Sequence, residues 1–224
     1  MKNIFILFIA FVGLSACSHN EFSDNPTQGI IEYDVTYIGL EEKSLMKIFL
    51  PEKMIFTFKD DKTVASIEAL FGSFQFKHII NPEKEVQYSL LTMNGQNYCY
   101  EFCIDSPSVG DELLQDLDIE EADVTKIIAG YECKKAIVNP SDELFEPYEI
   151  YYTQQLGKGT LNEYNPYKDV DGVLLQFRMF FKNMQMVLTA NNVTLTPVEN
   201  TEFELTKEYN KVNRKEFENL LKSF

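Results

Sequence analysis

Alternation with a period of two constrains this chain most. In GIIEYDVTY (29–37) the residues Ile31, Tyr33, Val35 and Tyr37 fall on one face and their polar neighbours on the other, the pattern of a half-buried strand. FQFKHII (74–80) and EVQYSLLTM (85–93) repeat it, and the second runs into Asn94-Gly95. Asn-Gly between alternating runs is the signature of a tight hairpin, so 85–93 and 96–104 are expected to pair antiparallel. KIFL (47–50) and MIFTF (54–58) read as further strands, with Lys59-Asp60-Asp61-Lys62 as a polar turn; TVASIEALF (63–71) fits either the helical or the strand period and is read as a strand. VTKIIA, YECKKAIV, YEIYYT, GVLLQFRMFF, MQMVLTA and VTLTPV follow at short intervals. Connections this short leave no room for crossover helices, so an antiparallel meander of about ten strands is expected.

Two segments carry a helical period instead. DELLQDLD (111–118) sets Leu113, Leu114 and Leu117 against acid on the other side. At the C-terminus, Asn213 followed by Glu216 reads as a capping box, with Val212 and Phe217 as its hydrophobic staple. Phe217, Leu220, Leu221 and Phe224 form one apolar stripe. The expected class is α+β, mostly β: a large curved, incompletely closed antiparallel sheet with helices packed on its concave side.

The N-terminus has another job. Lys2 precedes an apolar run from Ile4 to Leu14, long enough for a secretory leader and well short of the roughly 18 residues that span a bilayer. Leu14-Ser15-Ala16-Cys17 then resembles a bacterial lipobox, in which the cysteine is acylated and becomes the first mature residue. Several acyl chains on Cys17 meet the requirement for stable anchoring. By resemblance to the enterobacterial sorting rule, Ser18 permits transfer to the outer membrane. The expected organisation is a signal peptide over 1–16, a lipidated polar tether over 17–28 and one domain over 29–224.

Removing the leader takes Lys2 away and leaves a charge one unit more negative than the full chain's −15. Such a surface repels nucleic acid and anionic lipid alike, so the expected membrane contact is the lipid anchor. With Cys17 acylated, three cysteines remain in an oxidising compartment. Cys99 and Cys103 stand four apart on one strand, roughly 13 Å, beyond the roughly 7 Å that a disulfide tolerates between Cα atoms. A bridge would therefore join Cys133 to Cys103 or Cys99; the other reading is three buried free thiols.

The order GxIxYxVxY, IAGYECKKAIV (128–138), YEIYYT (148–153), NPYKDVDGVLLQF (165–177) and MQMVLTA (184–190) resembles a family of uncharacterised Gram-negative envelope lipoproteins. Their fold is similar to that of the LolA/LolB lipoprotein carriers. Gly130-Tyr131-Glu132-Cys133-Lys134 and Asp171-Gly172 are the best-marked matches. The resemblance implies a curved open sheet and no catalytic residues. For the carriers' acyl-binding arginine, Arg178 is a candidate only by standing mid-strand.

Chemistry is sparse. Of two histidines, His19 lies in the tether and His78 shares a face with Phe74, Phe76 and Ile80, as a satisfied interior histidine would. No GxSxG, P-loop, HExxH or CxxC pattern occurs in the mature chain. The run DELLQDLDIEEAD (111–123) reads as a solvated helix face, and no metal or cofactor is expected. What remains is apolar excess. Phe74, Phe76, Phe177, Met179, Met184 and Met186 are candidate ligand-lining residues, methionine being adaptable to a ligand's shape. The expectation is a non-enzymatic envelope lipoprotein binding an apolar ligand such as an acyl chain. The alternative is a scaffold or protein-interaction module with a fully packed core.

Overall fold

The computed structural model describes residues 26–224, apart from 42, 115, 143–144, 158, 182–183 and 224 and the side chains of 112, 113 and 181. The leader, Cys17 and most of the tether lie outside these residues, as does Phe224. Among the described residues the strands are β1 (Gln28–Tyr37), β2 (Lys53–Lys59), β3 (Lys62–Ala69), β4 (Phe74–Asn81), β5 (Val86–Met93) and β6 (Gln96–Cys103). They continue with β7 (Asp118–Ile128), β8 (Tyr131–Asn139), β9 (Tyr148–Thr153), β10 (Val173–Phe181), β11 (Met184–Thr194) and β12 (Asn210–Lys211), and α1 (Arg214–Ser223) closes the chain. All twelve strands join one sheet, in the order β12-β6-β5-β4-β3-β2-β1-β11-β10-β9-β8-β7.

Two antiparallel meanders meet at β1, which pairs with β2 on one side and β11 on the other. The hairpin expected at Asn94-Gly95 forms, with Met93 opposite Gln96 and positive φ of 52° and 75° at the two turn residues, as a tight two-residue loop requires. The period-two reading of 63–71 holds over β3. Thr63, Ala65 and Ile67 face the interior cavity described below, while Val64 packs outward with Ile79 and Leu90 under Val198 and Phe203.

The expectation of helices packed on a concave side is overturned. Residues 111–118 give only a 3-10 turn, Asp111–Leu114, before β7 begins at Asp118. β7 pairs with β8 and ends the strand order, so its acids stay solvated in a strand as well as they would on a helix. That leaves α1, a single short α-helix among the described residues. It lies beside β6 at the β4–β6 end of the sheet, where Phe217 packs on Phe76 and Tyr100 with ring centroids 6.2 Å apart in each case. KIFL is corrected too. Ser44 accepts a hydrogen bond from the Met46 N–H (3.3 Å) and starts a 3-10 turn, Leu45–Phe49, which a tight connection ending in Pro51 favours over a strand.

The Cys133 bridge is not formed. Cys99, Cys103 and Cys133 are free thiols, Cys103 exposed and the other two buried. β6 and β8 lie near opposite ends of the strand order, and Cys99 and Cys133 belong to different apolar clusters.

Candidate functional site

Inward-facing side chains of the two meanders enclose a partly open cavity of about 760 Å³. Strand pleating selects its lining. Met54 and Phe56 come from β2, Ile67 from β3 and Phe76 from β4, with Phe177 and Met179 of β10 and Met184 and Met186 of β11 opposite. Register sets them in layers: Ile67 pairs with Phe76 and Met179 with Met186. Ser108, Asp111 and Leu114, the 161–167 segment, and Glu218 and Leu221 of α1 add further wall. Met46 and Phe49 of the first 3-10 turn are both exposed and both line the cavity, giving it an apolar entrance.

Phe76, Phe177, Met179, Met184 and Met186 are therefore brought together as the sequence suggested. Phe74 is not; it is wholly buried in the core and absent from the wall. Arg178 also falls elsewhere. Its guanidinium lies 4.4 Å from the Tyr148 ring centroid and donates to Gln185 Oε1 (3.3 Å), on the strand face opposite Phe177 and Met179.

His78 lines the cavity but is fully engaged. Gln87 Nε2 donates to the Ile104 carbonyl (2.5 Å) and the Ser106 carbonyl (3.0 Å), which turns Gln87 Oε1 toward His78 Nε2 at 3.0 Å. His78 Nε2–H must then donate to it, and Nδ1 accepts from Ser89 Oγ at 3.3 Å. Burial holds the imidazole down at about 4 despite the Gln87 hydrogen bond, so it is neutral at physiological pH. A neutral histidine with both nitrogens occupied is built structure rather than a poised base.

Asp111 was not singled out from the sequence, where it vanished into an acidic run. In the structure it lines the cavity, and the Ser108 hydroxyl donates to its Oδ2. Burial pushes its carboxyl up to about 6, against the opposing pull of that hydrogen bond and of the Arg214 guanidinium. The turn that places it follows Pro107 and includes Gly110, whose φ is 102°; a Ser-Pro pair and a glycine just before the acids were the legible signal. Among the described residues there is no group of three or more His, Cys, Asp or Glu able to hold a metal ion. No described helix is long and apolar enough to cross a membrane.

No protein-family model and no curated protein matches the sequence. Solved structures do. PNGF-II in its C2 crystal form is similar at a TM-score of 0.53 and 16% identity over 87% of this chain. Its P21 form gives 0.51 and 15% over the same share. The chain spans about a third of PNGF-II, 32% and 33% of the two, so the likeness is one of fold. MucB matches 83% of this chain and 60% of its own at 10% identity, with a TM-score of 0.33.

Proposed function

We propose that the protein is a non-enzymatic, lipid-anchored envelope protein, sited in the outer membrane, that binds an apolar ligand such as an acyl chain. The single observation that carries this reading is the cavity of about 760 Å³ between the two meanders. That volume lies within the range of sites for small ligands, whereas a folded interior ordinarily packs to crystal density with few voids. The lining supports it. Methionine, phenylalanine and leucine make up half of the lining residues, and the one histidine there has both ring nitrogens engaged. A scaffold whose core is fully packed would have no need of such a space. The lipobox at Cys17 supplies the anchor, as in the LolA/LolB-like lipoproteins that the sequence resembles.

The test is to purify the lipidated protein from its own envelope and weigh it by native mass spectrometry. A non-covalent adduct of lipid mass, released by organic extraction and rebound by the stripped protein, is expected. Met179→Trp, which fills the cavity, should weaken rebinding. A stripped protein that takes up neither extracted lipid nor a neutral fluorescent amphiphile would overturn the reading.

A further inference from the structure

We infer that the cavity is polar where Asp111 and Ser108 stand, and that it takes amphiphiles whose head donates a hydrogen bond and carries no negative charge. The inference rests on the acyl-binding reading and adds the chemistry of the head group.

Polarity is uneven along the wall. Across β3 and β4 the paired inward residues run from Ile67–Phe76 through Ala65–His78 to Thr63–Ile80. Both members of a pair are apolar only toward the β3–β4 turn, and each pair nearer the β2–β3 turn carries one polar side chain, which makes that the more polar end. β6 leaves the sheet at that same polar end, since Cys103 pairs with Val86 at the start of β5, and the segment holding Ser108 and Asp111 follows at once. The Ser108 hydroxyl is spent as a donor to Asp111. What this corner offers a ligand is therefore acceptor capacity on a carboxylate, inside apolar walls where such an interaction is weakly screened. A hydroxyl or ammonium head satisfies it. A carboxylate or phosphate head would face a like charge there.

The other charged groups around Asp111 do not reverse this. On α1, Arg214 attracts Asp111 but is held by Glu218 (3.0 Å) and donates to the Pro107 carbonyl (3.1 Å). Glu218 itself lines the wall and adds a second carboxylate. Lys222 lines it too, but is exposed to water. From β4, His78 is neutral, and Tyr164 and Tyr167 of the facing segment carry phenols held above their ordinary value by burial.

The stripped protein is loaded with a neutral fluorescent amphiphile, which is displaced at pH 8 by dodecylammonium, dodecanol or dodecanoate, each below its micellar concentration. Dodecylammonium and dodecanol should displace at roughly tenfold lower concentration than dodecanoate, a modest difference in binding free energy. Asp111→Asn should shrink the ammonium-to-carboxylate gap to about threefold or less, and Ser108→Ala, which leaves the carboxylate in place, should keep it. Lowering the pH from 8 to 5 should weaken dodecylammonium in the wild type and not in Asp111→Asn. If dodecanoate binds as well as dodecylammonium, or the preference survives in Asp111→Asn, the head-group assignment is overturned and the acyl-binding reading stands. If the fluorescent amphiphile itself does not bind, both fall.

Discussion

Asn213 and Glu216 cap α1 reciprocally: the Glu216 N–H donates to Asn213 Oδ1 at 3.0 Å, and the Asn213 N–H donates to the Glu216 carboxylate at 3.1 Å. Two otherwise orphaned backbone donors are satisfied at once, and this fixes where the chain turns to bring Phe217 under Phe76 and Tyr100.

Asn213→Ala should therefore cost about 1 kcal/mol, read as a shifted denaturation midpoint with an unchanged slope. Phe217 is wholly buried, and Phe217→Ala should cost about 3–5 kcal/mol through lost burial and a residual void. A Phe217→Ala variant that melts with the wild type would reduce α1 to an appendage.

Opposite pH slopes are expected from two groups at the cavity. His78 is lowered from 6.5 to about 4, so between those values the folded state holds fewer protons than the unfolded one. Its contribution to stability is lost as pH falls through that window. Asp111 is raised from 3.8 to about 6, so the folded state keeps a proton that the unfolded state has released. Its contribution is present at low pH and is lost as pH rises from about 4 to 6. Relative to wild type, Asp111→Asn should gain stability from pH 4 to 6.5 and His78→Gln should lose it. Urea midpoints for the three proteins across that range check the sign, and parallel curves would refute it.

The thiols should separate cleanly. Burial raises Cys99 and Cys133 to about 11, leaving little thiolate at pH 8, whereas Cys103 is exposed. One fast equivalent of alkylation, mapped to Cys103, is expected in the native protein. The other two should label only in denaturant. A fast reaction at Cys133 would contradict its placement.

Cys17→Ala should abolish acylation, leaving a chain that keeps its leader or is soluble in the periplasm. Fractionation of envelopes carrying the variant decides this. Full recovery with the outer membrane would refute the lipobox reading.

Local chemistry made the hairpins and the cap readable. Asn94-Gly95 needs no distant partner to declare a turn, and neither do Asn213 and Glu216. What failed depended on neighbours. Residues 111–123 have helical periodicity, but pairing with β8 across Asp118–Asn139 to Ile128–Tyr131 outweighs a marginal helix. Strand spacing keeps Cys99 from Cys103, but whether Cys133 can reach either depends on where β6 and β8 stand in the sheet, which spacing along the chain does not carry. At the site, inward parity picked out Phe76, Phe177, Met179, Met184 and Met186. The same parity included Phe74, because it distinguishes faces and not the depth along a strand at which packing gives way to space. Asp111 stayed hidden, since an acid in an acidic run looks the same whether it meets water or a cavity.

The position of β1 governs how this chain can reach its native state. Ile30 pairs with Thr194 and Tyr37 with Met186, so the first of the described strands waits for nearly the last. Each meander can zip locally from its own turns, but the seam between them closes only after a loop spanning most of the molecule has been drawn shut. Assembly should thus be slow for a protein of this size, with a late kinetic barrier centred on Tyr33, whose hydroxyl donates to the Leu174 carbonyl at 2.7 Å across that seam. Until that barrier is crossed, β1 offers an unpaired edge, the state in which strand proteins most readily misassociate.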